Sequence, residues 1–187
     1  MGEHNYQELL NRLSFLNENH IDEKIVLQLK GILEKNKFNN VEISSRVKDI
    51  NSAALKYKEK KYSNINEIQD LIGIMIICKN KKQVYKISEC FKEKLNVIKI
   101  SDYIKRPKMG YKSLHLNITY APDIIYEIQL KTKPMMVAQE IIHDKIYKNK
   151  TMPMILKKIL SVVVFNSVKA YEEIVNWISN WKAIVEN

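Results

Sequence analysis

The chain has 187 residues, with 31 Lys plus Arg against 21 Asp plus Glu and a formal net charge of +10. Its length suits one core with helical extensions, and its basic excess favours phosphate-rich partners, namely nucleotides, RNA or an anionic membrane, against the plainer alternative of a solvated lysine-rich surface. Several classes are excluded: two cysteines without CxxC spacing and four histidines argue against a disulfide framework or zinc site and fit a reducing cytoplasm; there is no GxxxxGK(S/T) or GxGxxG loop; and neither a signal peptide nor a membrane span is expected.

Taken in order, Tyr6, Leu9, Leu10, Leu13 and Leu16 recur at helical spacing over 5–16, and Ile25, Leu29, Ile32 and Leu33 over 22–36. Residues 1–40 are thus expected to form a helical hairpin. Residues 41–47 alternate like a strand. Asp49 or Asn51 can cap a helix reaching Lys61, and 65–69 suits a short helical turn. The isoleucine-rich run 71–78 predicts a buried central strand with Asp70 at its start. Residues 81–94 read as a helix with Val84, Ile87 and Phe91 inward, and 97–101 as a strand.

A basic loop follows, Arg106 to His115, kinked by Pro107 and loosened by Gly110. Strands 114–120 and 125–131 flank the turn Ala121-Pro122-Asp123 and predict an antiparallel hairpin. Pro134 opens a helix to about Lys148, and Pro153 a last long helix to about Ala183. Ile155, Ile159, Val162, Val163, Tyr171, Ile174 and Ile178 give that last helix an apolar face wider than one domain needs. The expected class is α+β: a mixed five-stranded sheet flanked by helices over 41–150, with an N-terminal extension at 1–40 and a C-terminal helix at 151–187.

Strand 125–131 alternates, so Glu127, Gln129 and Lys131 share one face. Asp70 and Glu127 are the candidate metal pair. Two carboxylates converging on a sheet can hold Mg²⁺, which prefers oxygen ligands and shares them with phosphates. The plain alternative is a cap aspartate and a solvated glutamate. Lys48, Ser52 and Lys56 are spaced to share a helical face beside Arg46, a cationic arrangement that suits a triphosphate. Tyr111 stands among Lys105, Arg106, Lys108 and Lys112, a platform for a base near its phosphates. As a plain alternative, Tyr111 packs down as a surface lid. His143-Asp144 is an HD dipeptide, but four histidines are too few for an HD hydrolase.

Five motifs in order resemble the RelA/SpoT homologue family of alarmone synthetases. Arg46-Val-Lys48 is similar to its (G/S)RxK motif, Asp70-Leu-Ile-Gly73 to DxxG, Lys108 to His115 to (N/S)GYxSxH, and Glu127 to Thr132 to E(I/V)Q(I/L)RT. Residues 138–148 are similar to the helix ending EHxxxYK, through His143, Tyr147 and Lys148. The resemblance covers about 41–150 and implies a nucleotidyltransferase-like synthetase domain that moves pyrophosphate from ATP to the 3′-hydroxyl of GDP or GTP. It implies Asp70 and Glu127 as catalytic residues and Mg²⁺ ligands. Arg46, Lys48, Ser52, Lys56 and Met75 would face ATP, and Lys105, Lys108, Tyr111, Lys112, His115 and Gln129 the guanosine nucleotide, with Tyr111 stacked on guanine. The single-domain members also imply a homotetramer built by terminal helices.

The chain departs from the pattern at four places. Met75 stands where the family has an arginine that packs on adenine, so adenine binding is expected to be weaker or differently built. Lys131 replaces an arginine and loses its bidentate geometry. Met109 replaces Asn or Ser, and Ile142 replaces the glutamate, with Glu140 nearby. Two alternatives stay open: a toxin-type member that modifies the 3′ end of tRNA, and a degenerate copy that only binds nucleotide or RNA.

Overall fold

The computed structural model describes residues 1–107, 111–142 and 153–185. Lys108, Met109, Gly110, His143, Tyr147 and Lys148, singled out above, lie outside them. The elements run α1 (Glu3–Glu18), α2 (Ile21–Lys35), β1 (Glu42–Val47), α3 (Ile50–Lys60), a 3₁₀ turn (Ile65–Glu67), β2 (Ile72–Cys78), α4 (Lys81–Lys94), β3 (Val97–Asp102), β4 (Leu114–Ala121), β5 (Ile124–Thr132), α5 (Lys133–Glu140) and α6 (Met154–Val185). Asp49 caps α3 by accepting from the Ser52 N–H at 2.9 Å, and Asn80 caps α4 by accepting from Gln83 N–H.

The five strands lie in the order β1-β2-β5-β4-β3. β2 and β5 run parallel; every other pair is antiparallel. The sheet is therefore mixed, as the alternation of strands and helices predicts. β5 sits at its centre, with β2 beside it.

One sheet face carries Ile72, Ile74, Ile76, Tyr126, Ile128, Leu130, Leu114, Leu116 and Ile118, all buried. Leu9, Leu13 and Leu16 of α1 and Ile25, Leu29 and Leu33 of α2 join these residues in one core, so the N-terminal hairpin shares its hydrophobic interior with the sheet. Each such side chain contributes roughly 1.5–3 kcal/mol by leaving water. Tyr6 and Leu10, also at helical spacing, stay exposed. On α6, Ile155, Ile159, Val162, Val163, Tyr171 and Ile174 are exposed.

The opposite sheet face is polar, and register decides which residues meet there. Arg46, Gly73, Glu127 and Asn117 form one row across β1, β2, β5 and β4; Ser44, Met75, Gln129 and His115 form the next. Directly paired residues project to the same side of a sheet. Two stretches more than fifty residues apart in sequence, around 70 and 127, are thereby brought side by side.

Candidate active site

A cleft of about 220 Å³ opens on the polar face. β1 contributes Ser44, Ser45 and Arg46, with Lys48 just beyond its end; Asp70 and Met75 come from β2 and its approach, and Glu127, Gln129 and Lys131 from β5. Met136, Gln139 and Glu140 of α5 form the remaining wall. Gly73 keeps the floor low where Arg46 crosses it: a Cβ there would lie 3.8 Å from Arg46 Cγ and Nε.

Asp70 is held at the mouth of β2 from two sides. The Lys48 N–H donates to the Leu71 carbonyl at 2.8 Å, and Asn117 Nδ2 donates to the Gln69 carbonyl at 3.4 Å. Lys48 Nζ and Lys56 Nζ both donate to Asp70 Oδ2, each at 2.6 Å. Burial raises the Asp70 carboxyl, but the two ammonium groups outweigh it and hold the group below its ordinary value.

A continuous polar chain runs along β4 and β5. The Tyr111 hydroxyl lies 2.6 Å from His115 Nε2, and His115 Nδ1 lies 3.0 Å from Glu127 Oε2. Gln129 Nε2 donates to Glu127 Oε1 at 2.8 Å. Lys131 Nζ then donates to Gln129 Oε1 at 2.9 Å and to Gln139 Oε1 at 2.6 Å, tying α5 to the sheet. An ammonium can only donate, so Lys131 fixes the Gln129 amide with its NH₂ towards Glu127.

Burial raises Glu127, yet His115 and Gln129 together leave it below its ordinary value; Asp70 nearby opposes them. Burial lowers Lys131 to about 8, against the pull of Glu127. Tyr111 is pushed up, first by burial and also by Glu127. Its ring makes edge contacts with Tyr103 and His115, at centroid distances of 5.6 Å each, and Lys131 Nζ lies 5.7 Å from the ring centroid. Tyr111 is thus packed into an aromatic cluster with Tyr103 and His115.

The cleft therefore gathers Arg46, Lys48, Asp70, Met75, Glu127 and Gln129, with Lys56 reaching in from α3 and His115 joined through Glu127. Ser52, Lys105 and Lys112 line no part of the cleft. Ser52 is exposed on α3, where its N–H serves the Asp49 cap. The shared helical face fails because α3 begins at Ile50, so Lys48 precedes it and follows no helical spacing. Lys105 is exposed, 4.0 Å from Asp102 and over the Tyr85 ring, away from the cleft lining. Lys112 is buried just before β4.

Sequence reasoning missed Ser44, Tyr103, Met136 and Gln139, and left Glu140 undecided. Alternation along β1 points to Ser44 as a partner of Arg46. No local signal identifies Met136 and Gln139, because docking of α5 is a tertiary event.

Among the described residues no three His, Cys, Asp or Glu cluster as a self-sufficient metal cage. Asp70 and Glu127 nonetheless suit Mg²⁺. That ion takes one or two carboxylates and fills its remaining positions with water and phosphate. Asp70 Oδ1 is buried and accepts no hydrogen bond among the described residues, which leaves a hard oxygen donor available at the cleft.

Residues 45–152 match the family described as a region found in RelA/SpoT proteins. The chain is 29% identical over 144 residues to the probable GTP diphosphokinase RSH3, chloroplastic, of Arabidopsis thaliana, spanning 73% of this chain and 20% of that protein. It is 35% identical over 91 residues to the GTP pyrophosphokinase YwaC of Bacillus subtilis, 43% of each. The chain thus spans about a fifth of the first relative and under half of the second. The fold is that of the Bacillus subtilis small alarmone synthetase 1 bound to its product pppGpp, with a TM-score of 0.77 at 24% identity over 90% of this chain and 96% of that one. No described helix is long and apolar enough to cross a membrane.

Proposed function

The chain belongs to the RelA/SpoT family, and on that premise we propose that it is a (p)ppGpp synthetase, transferring the β,γ-pyrophosphate of ATP to the 3′-hydroxyl of GDP or GTP. The observation that carries this reading is the placing of Asp70 and Glu127 on one cleft with Arg46 and Lys48. Carboxylates for a divalent ion and cations for phosphates thus occupy a single wall.

In this reading Arg46, Lys48 and Lys56 bind the triphosphate by charge-assisted hydrogen bonds. Met75 and Met136, which line the cleft from β2 and α5, offer apolar, polarisable contact to the adenine. Mg²⁺ held by Asp70 and Glu127 would neutralise phosphate charge and polarise the bond to the leaving group. A cleft of about 220 Å³ is below the roughly 300–1,000 Å³ of a typical small-molecule site. The acceptor is assigned to the side of Glu127 on which His115 holds Oε2, outside the cleft lining.

Glu127 takes the proton of the 3′-hydroxyl on a carboxylate oxygen as the hydroxyl oxygen attacks the β-phosphorus. The bond from the β-phosphorus to the bridging oxygen of the α-phosphate breaks, and AMP leaves with the electron pair. His115 and Gln129 each occupy one Glu127 oxygen. A carboxylate oxygen has a second acceptor position, so a substrate hydroxyl still has room. Both bonds hold the carboxylate plane fixed, which is the positioning that phosphoryl chemistry needs. The exposed apolar stripe on α6 is assigned to a homo-oligomer contact.

The test mixes the pure chain with Mg²⁺, ATP labelled at the β-phosphate and, in separate tubes, GDP, GTP or total tRNA. Label in a guanosine nucleotide together with AMP release supports the synthetase. Label on tRNA transfers the same chemistry to an RNA acceptor, and no AMP in any tube marks a binding-only copy.

A further inference from the structure

Asp70 is bound twice at the same atom. Lys48 and Lys56 both donate to Oδ2 at 2.6 Å, while Oδ1 is buried without a hydrogen-bond partner among the described residues. Two ammonium groups on one carboxylate leave the cluster with a net positive charge. Water screens it weakly: the side chains of Lys48 and Asp70 are 14% and 17% exposed, and that of Lys56 is 30% exposed. Arg46 and Lys131 line the same cleft and add to the positive field; Glu127 and Glu140 offset it.

A lone divalent ion approaching Oδ1 meets repulsion from both ammonium groups at close range. A polyphosphate changes the balance, because its anionic oxygens compete with Oδ2 for the same N–H donors. Drawing both lysines away leaves an unpaired buried carboxylate, which is costly. One doubly charged ion replaces two singly charged groups and restores the local charge.

Resting on the reading of Asp70 as a metal ligand, we infer that Lys48 and Lys56 stand in for the divalent cation at Asp70 and that the ion is admitted only together with a polyphosphate. The lysines then hold two positions in the cycle: on Asp70 in the free protein, and on the phosphates in the complex. Metal alone binds poorly, and nucleotide alone leaves Asp70 without a counter-charge. The site loads both as one unit.

Mn²⁺ is the probe, with free ion read from its electron paramagnetic resonance signal as it is titrated into the full chain, alone or with α,β-methylene ATP. Wild type is expected to bind Mn²⁺ weakly alone, and to hold it in the ternary complex, in which Asp70→Asn loses it. Lys56→Met is expected to bind Mn²⁺ alone at least about tenfold more tightly than wild type, since a unit charge beside the ion is gone. Lys48→Met is the second variant and is expected to move the same way; circular dichroism checks that each variant is folded. Unchanged or weaker Mn²⁺ binding by the folded lysine variants, with Mn²⁺ still held in the wild-type ternary complex, overturns the exchange and leaves the metal reading intact. Wild type that holds no Mn²⁺ beyond the nucleotide's own complex overturns both.

Discussion

His115 Nδ1 lies 3.0 Å from Glu127 Oε2, across the pairing of β4 with β5. Two motifs that are separate in sequence thereby become one hydrogen-bonded unit, extended by Tyr111 at one end and by Gln129, Lys131 and Gln139 at the other. If Glu127 is the base, this unit sets both its orientation and its proton affinity.

Replacing His115 with Ala removes a group that holds Glu127 below its ordinary value, so burial then raises the carboxyl. The acid limb of kcat/KM is expected to move to higher pH, and kcat to fall about 10- to 100-fold. A pH–rate profile of AMP release checks both. An unmoved acid limb would separate His115 from the ionisation of Glu127.

Lys131 is lowered by burial to about 8, from 10.5. A lysine whose folded value is depressed opposes folding fully below about 8 and is relieved as pH rises towards 10.5. Stability is therefore expected to gain on the order of 3 kcal/mol across that window from this group. Asp70 and Glu127 run the other way. Both are depressed, so their contribution is present above their unfolded values of 3.8 and 4.5 and is lost as pH falls through the folded ones. Urea unfolding followed over pH for wild type and Lys131→Met checks the lysine: the variant should lack the alkaline gain.

Gly73 lies in β2 with ordinary backbone angles, and an added Cβ meets Arg46 only at van der Waals distance. Gly73→Ala is expected to leave the fold intact and to raise stability by up to about 1 kcal/mol. The same methyl lifts the cleft floor between Arg46 and Glu127, so KM for ATP should rise about tenfold. Thermal unfolding beside steady-state kinetics reads the two effects separately.

Met75 pairs with Ser44 and Gln129 in the sheet and lines the cleft. Met75→Arg supplies a cation for stacking on adenine, and KM for ATP is expected to fall roughly 3- to 10-fold. A rise would mean that the two methionines, and not a guanidinium, set the shape of the base pocket.

Much of this arrangement is written locally. The alternation in 125–131 puts Glu127, Gln129 and Lys131 on one face, and the isoleucine run ending at Cys78 reads as a buried strand; the sheet realises both. The long-range part is not local. Nothing near residue 73 or residue 127 states that β2 lies parallel to β5, and only that register sets Gly73 beside Glu127 and Met75 beside Gln129. Helix phase misleads at Lys48, since the Asp49 cap starts α3 after it; Lys48 and Lys56 meet on Asp70 through tertiary packing. The α5 wall of Met136, Gln139 and Glu140 depends on how that helix docks, and a sequence window of its own length carries no sign of it.

The most direct test of the account compares AMP release by wild type and Glu127→Gln under saturating Mg²⁺, ATP and GDP, with thermal unfolding measured on the same samples. The variant keeps the shape and the hydrogen-bonding reach of the side chain but cannot take a proton, so AMP release should fall about 10²- to 10⁴-fold with the unfolding midpoint little changed. A folded variant that still releases AMP within about tenfold of wild type would remove Glu127 from the chemistry and contradict the assignment.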